Sequence, residues 1–271
     1  MNERKIELIA TDLDGSFWDA QGRAHPDTLG ALDAVIAAGI PVLAATARRP
    51  ASVLATMQDN GVLLPCVLFD GSLGRDFAKD ITFHRCVFDS ESAAVVLETF
   101  MKAGLEPSLN VEHNHDDFVV GDNPSSHPEH LAFNAVRTQH VNLDIAVRSM
   151  PVFTFLVIGR ERDELLPVLE AVSLVADSSV TPDLMYGGFS LSVRPKGVSK
   201  WSGVLSFCAH RELDPGRVLA VGDGENDLEL LSSAAVACVP SDGCEEALTL
   251  ATHHIRPAHS GGWASIVDLI E

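Results

Sequence analysis

Ile6-Glu7-Leu8-Ile9-Ala10-Thr11-Asp12-Leu13-Asp14-Gly15-Ser16 is an apolar run that ends in two carboxylates and a glycine. Its first six residues read as a buried strand. Alternation in an extended segment turns Asp12 and Asp14 to the same side. Ligands of open α/β sheets bind at the carboxyl ends of the strands. Two carboxylates in such a place repel each other unless a cation or a proton intervenes. Read alone, the pair is equally compatible with an Asx turn or a helix cap after a strand.

Working outward, strands and helices alternate. Pro26 opens a helical pattern with Leu29, Leu32, Val35 and Ile36 on one side, closed by Gly39. Residues 40–46 form a second strand, 50–60 a helix closed by Gly61, and 67–69 a third strand. This rhythm implies a parallel sheet covered by helices. The middle of the chain changes character. Residues 77–87 read as a hairpin, Ser90 as the cap of a helix to Met101, and 127–138 and 163–174 as helices among short strands at 151–158 and 189–193. The α/β rhythm returns with a helix at 198–211, a strand at 217–221, a helix at 226–234, a strand at 235–239, a helix at 245–252 and a short helix at 263–270. The expected fold is α/β, a Rossmann-like parallel sheet with helices on both faces and an inserted α+β domain. The core comprises residues 1–82 and 190–271, and the insertion 83–189.

Bulk properties narrow the function. The chain has 271 residues, 46% of them hydrophobic and 21% charged, with a formal net charge of −19. That charge repels nucleic-acid phosphates and anionic membrane surfaces. A small anion can still bind where a metal and a lysine reverse the local sign. The five cysteines include no C-x-x-C pair, which fits buried thiols in a reducing compartment. Asp12 interrupts the N-terminal apolar run before a signal peptide would be complete, and no apolar segment is long enough to span a bilayer. A cytoplasmic, soluble protein is expected.

Three further motifs fall at strand ends or helix starts. Ala45-Thr46-Ala47-Arg48 offers a hydroxyl and the next N–H to an anion, or a helix cap. Lys196-Gly197-Val198-Ser199-Lys200 brings lysines to the start of a helix. Val221-Gly222-Asp223-Gly224-Glu225-Asn226-Asp227 sets oxygen-bearing side chains beside two glycines and suits a hard cation. It is not G-x-G-x-x-G, because Asp227 stands at the third glycine, nor an EF-hand loop, because Leu228 stands at the sixth position. No P-loop occurs. In a parallel sheet the four motifs gather along one edge.

In motif order the chain resembles the haloacid dehalogenase superfamily, in particular its Cof-like phosphatases with a type IIB cap between the second and third motifs. The resemblance implies that Asp12 is the nucleophile and a Mg²⁺ ligand. Asp14 is then the general acid/base, its carbonyl also on the metal. Leu13, Thr46 and Ala47 bind the phosphoryl group. Lys200, rather than Lys196, stabilises its charge. Asp223 is the acidic metal ligand, Asn226 a phosphate or substrate contact, and Asp227 orients Lys200 or the metal's water shell. Three positions depart from the family pattern: Ser16 for a threonine, Ala47 for a glycine, and Asp70 before Gly71 where relatives often carry asparagine. The implied partner is a small phosphorylated metabolite, by family default a sugar phosphate, with no nucleic acid and no membrane. Neither the ester nor the oligomeric state is named by the sequence.

Alternatives are a phosphomutase resembling phosphomannomutase, against which the lack of a basic cluster in the insertion counts, and a non-enzymatic regulator, against which the acids at 12, 14 and 223 with Lys200 count. In the insertion, residues 110–117 are expected as a polar loop, Phe118, Phe153 and Phe155 as core, and residues 182–188 as a lid loop.

Overall fold

The computed structural model describes residues 6–111, 118–135, 138–183 and 185–270. The chain divides into two compact units, one made of residues up to Arg85 and from Ser199 onward, the other of Cys86–Val198.

The first unit begins with β1 (Leu8–Thr11), α1 (Pro26–Ala37), β2 (Val42–Ala45), α2 (Pro50–Asp59), β3 (Cys66–Leu68) and a hairpin of β4 (Leu73–Asp76) and β5 (Ile81–Arg85). The insertion contains α3 (Ser90–Lys102), β6 (Ser108–Val111), β7 (Phe118–Val120), α4 (Pro128–Asn134), β8 (Thr138–His140), α5 (Leu143–Ser149), β9 (Val152–Arg160), α6 (Arg162–Val172), β10 (Ala176–Pro182) and β11 (Phe189–Pro195). The first unit resumes with α7 (Lys200–Arg211), β12 (Val218–Val221), α8 (Leu228–Ser233), β13 (Val236–Pro240), α9 (Glu245–Leu250) and β14 (His253–Ile255).

Among the described residues the first unit carries one sheet in the order β14-β13-β12-β1-β2-β3-β4-β5. The strands from β14 to β3 run parallel, and β4 and β5 close one edge as antiparallel strands. The central strands are short and buried at every position, which is why they appear in the sequence as uninterrupted apolar runs. Register positions the chemistry. Thr11 lies level with Val221 on one side and Ala44 on the other. The loops after β1, β2 and β12 therefore leave the sheet side by side.

The insertion has its own sheet, β10-β11-β9-β6-β7-β8, antiparallel except between β7 and β8. Leu109, Phe155, Val157, Leu191 and Val193 on one face pack with Val96 and Phe100 of α3 and Leu165 and Val168 of α6. Phe118, Phe153 and Phe155 are all buried.

Several expected boundaries shift, each for a local reason. Asp89, not Ser90, caps α3, its carboxylate accepting from the N–H groups of Glu91 and Ser92. The helix expected from residue 198 starts at Lys200, because Ser199 and Ser202 form a reciprocal capping box. The helix expected at 226–234 is divided into a 3₁₀ turn, Glu225–Asp227, and α8. The short helix expected at 263–270 is a 3₁₀ helix, Gly262–Leu269. Of the polar loop expected at 110–117, Asn110 and Val111 belong to β6 and are buried, and 112–117 lie outside the described residues. Of the expected lid loop, Pro182 ends β10, Asp183 accepts from the N–H groups of Met185 and Tyr186, and Leu184 lies outside the described residues.

Candidate active site

The loop after β1 starts with Asp12, whose N–H donates to the carbonyl of Val221 at the end of β12 (2.8 Å). One Asp12 oxygen, Oδ1, accepts from Lys200 Nζ at 2.6 Å. Lys200 is the first residue of α7, and its ammonium is almost wholly buried, at 1% exposure. It donates a second hydrogen bond to Asp227 Oδ1 at 2.7 Å. The other Asp227 oxygen accepts from the N–H groups of Asp223 and Gly224, at 3.1 Å each. Asp227 thus ties the loop after β12 to the lysine, and this side-chain turn is what splits the helix start there.

Asp223 Oδ1 accepts from Ser16 Oγ at 3.0 Å. Gly15, at φ +84°, lies so close to Asp223 that a Cβ would sit 2.4 Å from Oδ2. Glycine is required there both for its backbone conformation and for this approach. Oxygens of Asp12, Asp223 and Asp227 lie within 4.8 Å of one another.

The electrostatics follow from burial. Burial pushes the Asp12 carboxyl well above the usual carboxylate range; Lys200 opposes the shift, while Asp227, Asp223 and Asp14 add to it. Asp223 is raised to about 7, by burial first and then by Asp227, against the pull of Lys200 and the Ser16 hydrogen bond. Burial alone would lower the Lys200 ammonium. The charges of Asp12, Asp227 and Asp70 outweigh it and hold the group above its ordinary value. One ammonium therefore serves several carboxylates, and the cluster has unused capacity for a cation.

Asp14 is placed differently from Asp12. The strand stops at Thr11, so the alternation expected of an extended segment does not reach residue 14. Its carboxylate is held by Arg48 in a two-pronged pair, Nε to Oδ2 at 2.7 Å and Nη2 to Oδ1 at 2.6 Å, and by Trp18 Nε1 to Oδ1 at 3.0 Å. Arg48 lies over the Trp18 ring (5.3 Å to its centroid) and donates to Thr56 Oγ1 of α2 at 2.8 Å.

Thr46 follows β2, donates its N–H to Val67 and accepts from Asp70 N–H at its carbonyl. Its hydroxyl accepts from Arg48 N–H at 3.1 Å. Leu13 buries its side chain, leaving only its main chain for an anion, and Ala47 lies between Thr46 and Arg48. Asn226 Nδ2 donates to Asp70 Oδ1 at 2.9 Å. Lys196 belongs to the other unit, on the surface, paired with Asp177.

The fold brings Asp12, Lys200, Asp223 and Asp227 into one cluster, half-buried at Asp223 and buried at the others, with Asp14, Thr46 and Asn226 on loops tied to it. Sequence reasoning missed Arg48 and Trp18 as partners of Asp14. Arg48 stood inside the quoted motif, and its forked geometry, suited to a carboxylate, was the available signal.

A sequence model of haloacid dehalogenase-like hydrolases matches residues 9–267. The chain belongs to this family. Among haloacid dehalogenase-like relatives and structures, a phosphoglycolate phosphatase of Methanopyrus kandleri is 27% identical over 200 residues, 72% of this chain and 84% of that protein. A phosphoglycolate phosphatase of Aeropyrum pernix is 31% identical over 111 residues, 39% of this chain, so the match spans under half, 46%, of that relative. The solved structure of the subclass IIB sugar phosphatase BT4131 has a TM-score of 0.79 at 19% identity and covers 97% of this chain and 98% of that one. For the haloacid dehalogenase-like fold found here, that likeness extends over both units.

Proposed function

We propose that the protein is a magnesium-dependent phosphatase that hydrolyses small phosphorylated metabolites, sugar phosphates foremost, through a phospho-aspartyl intermediate on Asp12. The observation that carries this reading is the buried Lys200 ammonium 2.6 Å from Asp12 Oδ1, beside an acid cluster that a single positive charge does not neutralise. Membership of a hydrolase family and the phosphatase names of its relatives support the reaction class, and the sugar phosphatase of similar fold supports the choice of ester.

The residues fit a divalent ion. Hard carboxylate oxygens suit magnesium. Both Asp227 oxygens are engaged by Lys200 and main-chain N–H groups, so Asp12 and Asp223, with the Asp14 carbonyl, would hold it. When bound, it lessens the repulsion between an anionic attacker and a phosphate dianion.

In the first step Asp12 attacks phosphorus, the ester P–O bond breaks, and Asp14 gives a proton to the leaving oxygen. In the second, Asp14 takes a proton from water, the oxygen attacks phosphorus, and the bond to Asp12 breaks. Asp12 is regenerated and inorganic phosphate leaves. Lys200, the Thr46 hydroxyl and the N–H groups of Leu13 and Ala47 bind the oxygens on which charge spreads. Asn226 adds a side-chain contact. Asp227 orients Lys200. Arg48 engages both Asp14 oxygens, so the acid step starts with release of one of those hydrogen bonds.

The partner is a small ester. No described helix is long and apolar enough to cross a membrane.

Phosphate release is to be measured with magnesium or with EDTA, across hexose phosphates, 2-phosphoglycolate, nucleotides and pyridoxal phosphate. Magnesium-dependent release, fastest from a sugar phosphate, is expected. Interconversion of hexose phosphates without release would replace the reading with a mutase, and silence across the panel would end it.

A further inference from the structure

The turn after β3 carries a buried acid that the mechanism above does not use. Phe69 and Asp70 both lie at φ +53°, a conformation that L residues seldom adopt and that asparagine, aspartate and glycine tolerate best. The turn is nevertheless fixed from three sides. Phe69 and Asp70 donate their N–H groups to the carbonyls of Arg48 and Thr46, at 3.2 and 3.1 Å. Gly71 lies so near the start of α7 that a Cβ there would fall 2.0 Å from the Ser199 carbonyl oxygen. Asp70 Oδ1 accepts from Asn226 Nδ2, and Asp70 is 2% exposed. This one turn thus meets the loops that carry Thr46, Lys200 and Asn226.

A terminal amide can present either its oxygen or its nitrogen to a neighbour, and a carboxylate can only accept. Asp70 therefore commits the Asn226 amide to one orientation. In that orientation Asn226 Oδ1 lies near Gly224, 2.8 Å from where a Cβ on that glycine would be. Oxygen faces its own loop, nitrogen faces Asp70, and the second hydrogen of that nitrogen is left for a ligand. An asparagine at position 70 could pair with either end and would let the amide invert.

On the phosphoryl-transfer reading given above, we propose that Asp70 is a positioning residue that holds Asn226 as a hydrogen-bond donor to the phosphoryl group. This role runs against simple electrostatics. A carboxylate near an anion site should weaken anion binding, and removing its charge should tighten it. Orientation of Asn226 predicts the opposite sign.

The test uses the full chain with magnesium and measures binding of inorganic phosphate and vanadate by calorimetry. Asp70→Asn keeps the shape and suits the left-handed backbone, and Asp70→Gly removes the acceptor while tolerating the same φ. Both should weaken both anions by roughly five- to tenfold, as expected for one oriented hydrogen bond. In an Asn226→Ala background the same changes should cause no further loss, since the residue through which Asp70 acts is gone and only the removal of a nearby negative charge is left. The side-chain amide resonances of Asn226 should shift in Asp70→Asn. Unchanged or tighter anion binding in the two variants, or an equal loss with and without Asn226, would overturn the proposal. Failure of the parent protein to bind either anion would instead count against the phosphatase reading itself.

Discussion

Replacing Lys200 with methionine removes the positive charge around which the site is built. The ammonium is 1% exposed and lies 2.6 Å from Asp12 Oδ1 and 2.7 Å from Asp227 Oδ1, whose side chains are 8% and 1% exposed. Deleting one partner of a buried ion pair costs about 3–5 kcal/mol, because the remaining charge is left without compensation. Here one deletion strands two carboxylates, which puts the cost toward the upper end. For a protein of this size that corresponds to a fall in Tm of roughly 10–20 °C. The cost arises from charge, so it depends on pH. Burial raises Asp12 in the folded protein, and loss of Lys200 raises it further. A carboxyl raised above its unfolded value of 3.8 imposes no penalty below that pH, and the penalty grows as pH rises toward the folded value. Melting curves of parent and variant should therefore converge near pH 4–5 and separate most near pH 8, and millimolar magnesium should recover part of the gap. A difference below about 1 kcal/mol, or one of equal size at all pH values, would refute the claim that Lys200 acts through buried charge pairing.

Metal-free parent protein should lose stability as pH rises from about 4 to about 7, because Asp223 sits at about 7 when folded against 3.8 unfolded. The loss is at most about 4 kcal/mol, and magnesium should flatten it in denaturant titrations across that range. Gly15→Ala should lower Tm and cut turnover at least roughly tenfold, since the new methyl strains a left-handed backbone and displaces Asp223; steady-state kinetics and melting curves check both. Arg48→Lys should lower kcat for an alkyl phosphate roughly 10–100-fold, with KM little changed, because an ammonium without the contacts to Trp18 and Thr56 no longer aims the Asp14 carboxyl.

The strands that position the site were legible because they are buried on both sides and so spell out apolar runs. Asp12 and Thr46 were found because each directly follows such a run, and Asp223 because only Gly222 separates it from one. Lys200 was separated from Lys196 by family spacing alone; the structure supplies the physical difference, a buried helix start for one and a surface ion pair for the other. Arg48 with Asp14 and Asp70 with Asn226 were not legible. These pairs span 34 and 156 residues, and side-chain pairing across loops leaves no periodic trace. β10 was hidden for a different reason: its Ala-Asp-Ser-Ser-Val-Thr-Pro sequence is too polar to stand out until its pairing with β11 is seen. The helix expected at 226–234 opens on a 3₁₀ turn instead, because the Asp227 side chain, by binding the Asp223 and Gly224 N–H groups, forms a turn of its own.

The most direct test of the account is chemical trapping of the covalent intermediate. The enzyme is quenched in acid during steady turnover of its best ester, reduced with labelled borohydride, and digested for peptide mapping by mass spectrometry. Conversion of residue 12 to homoserine, dependent on substrate and on magnesium, is the predicted result. Rapid phosphate release with no label at residue 12, or with label at another carboxylate, would contradict nucleophilic attack by Asp12.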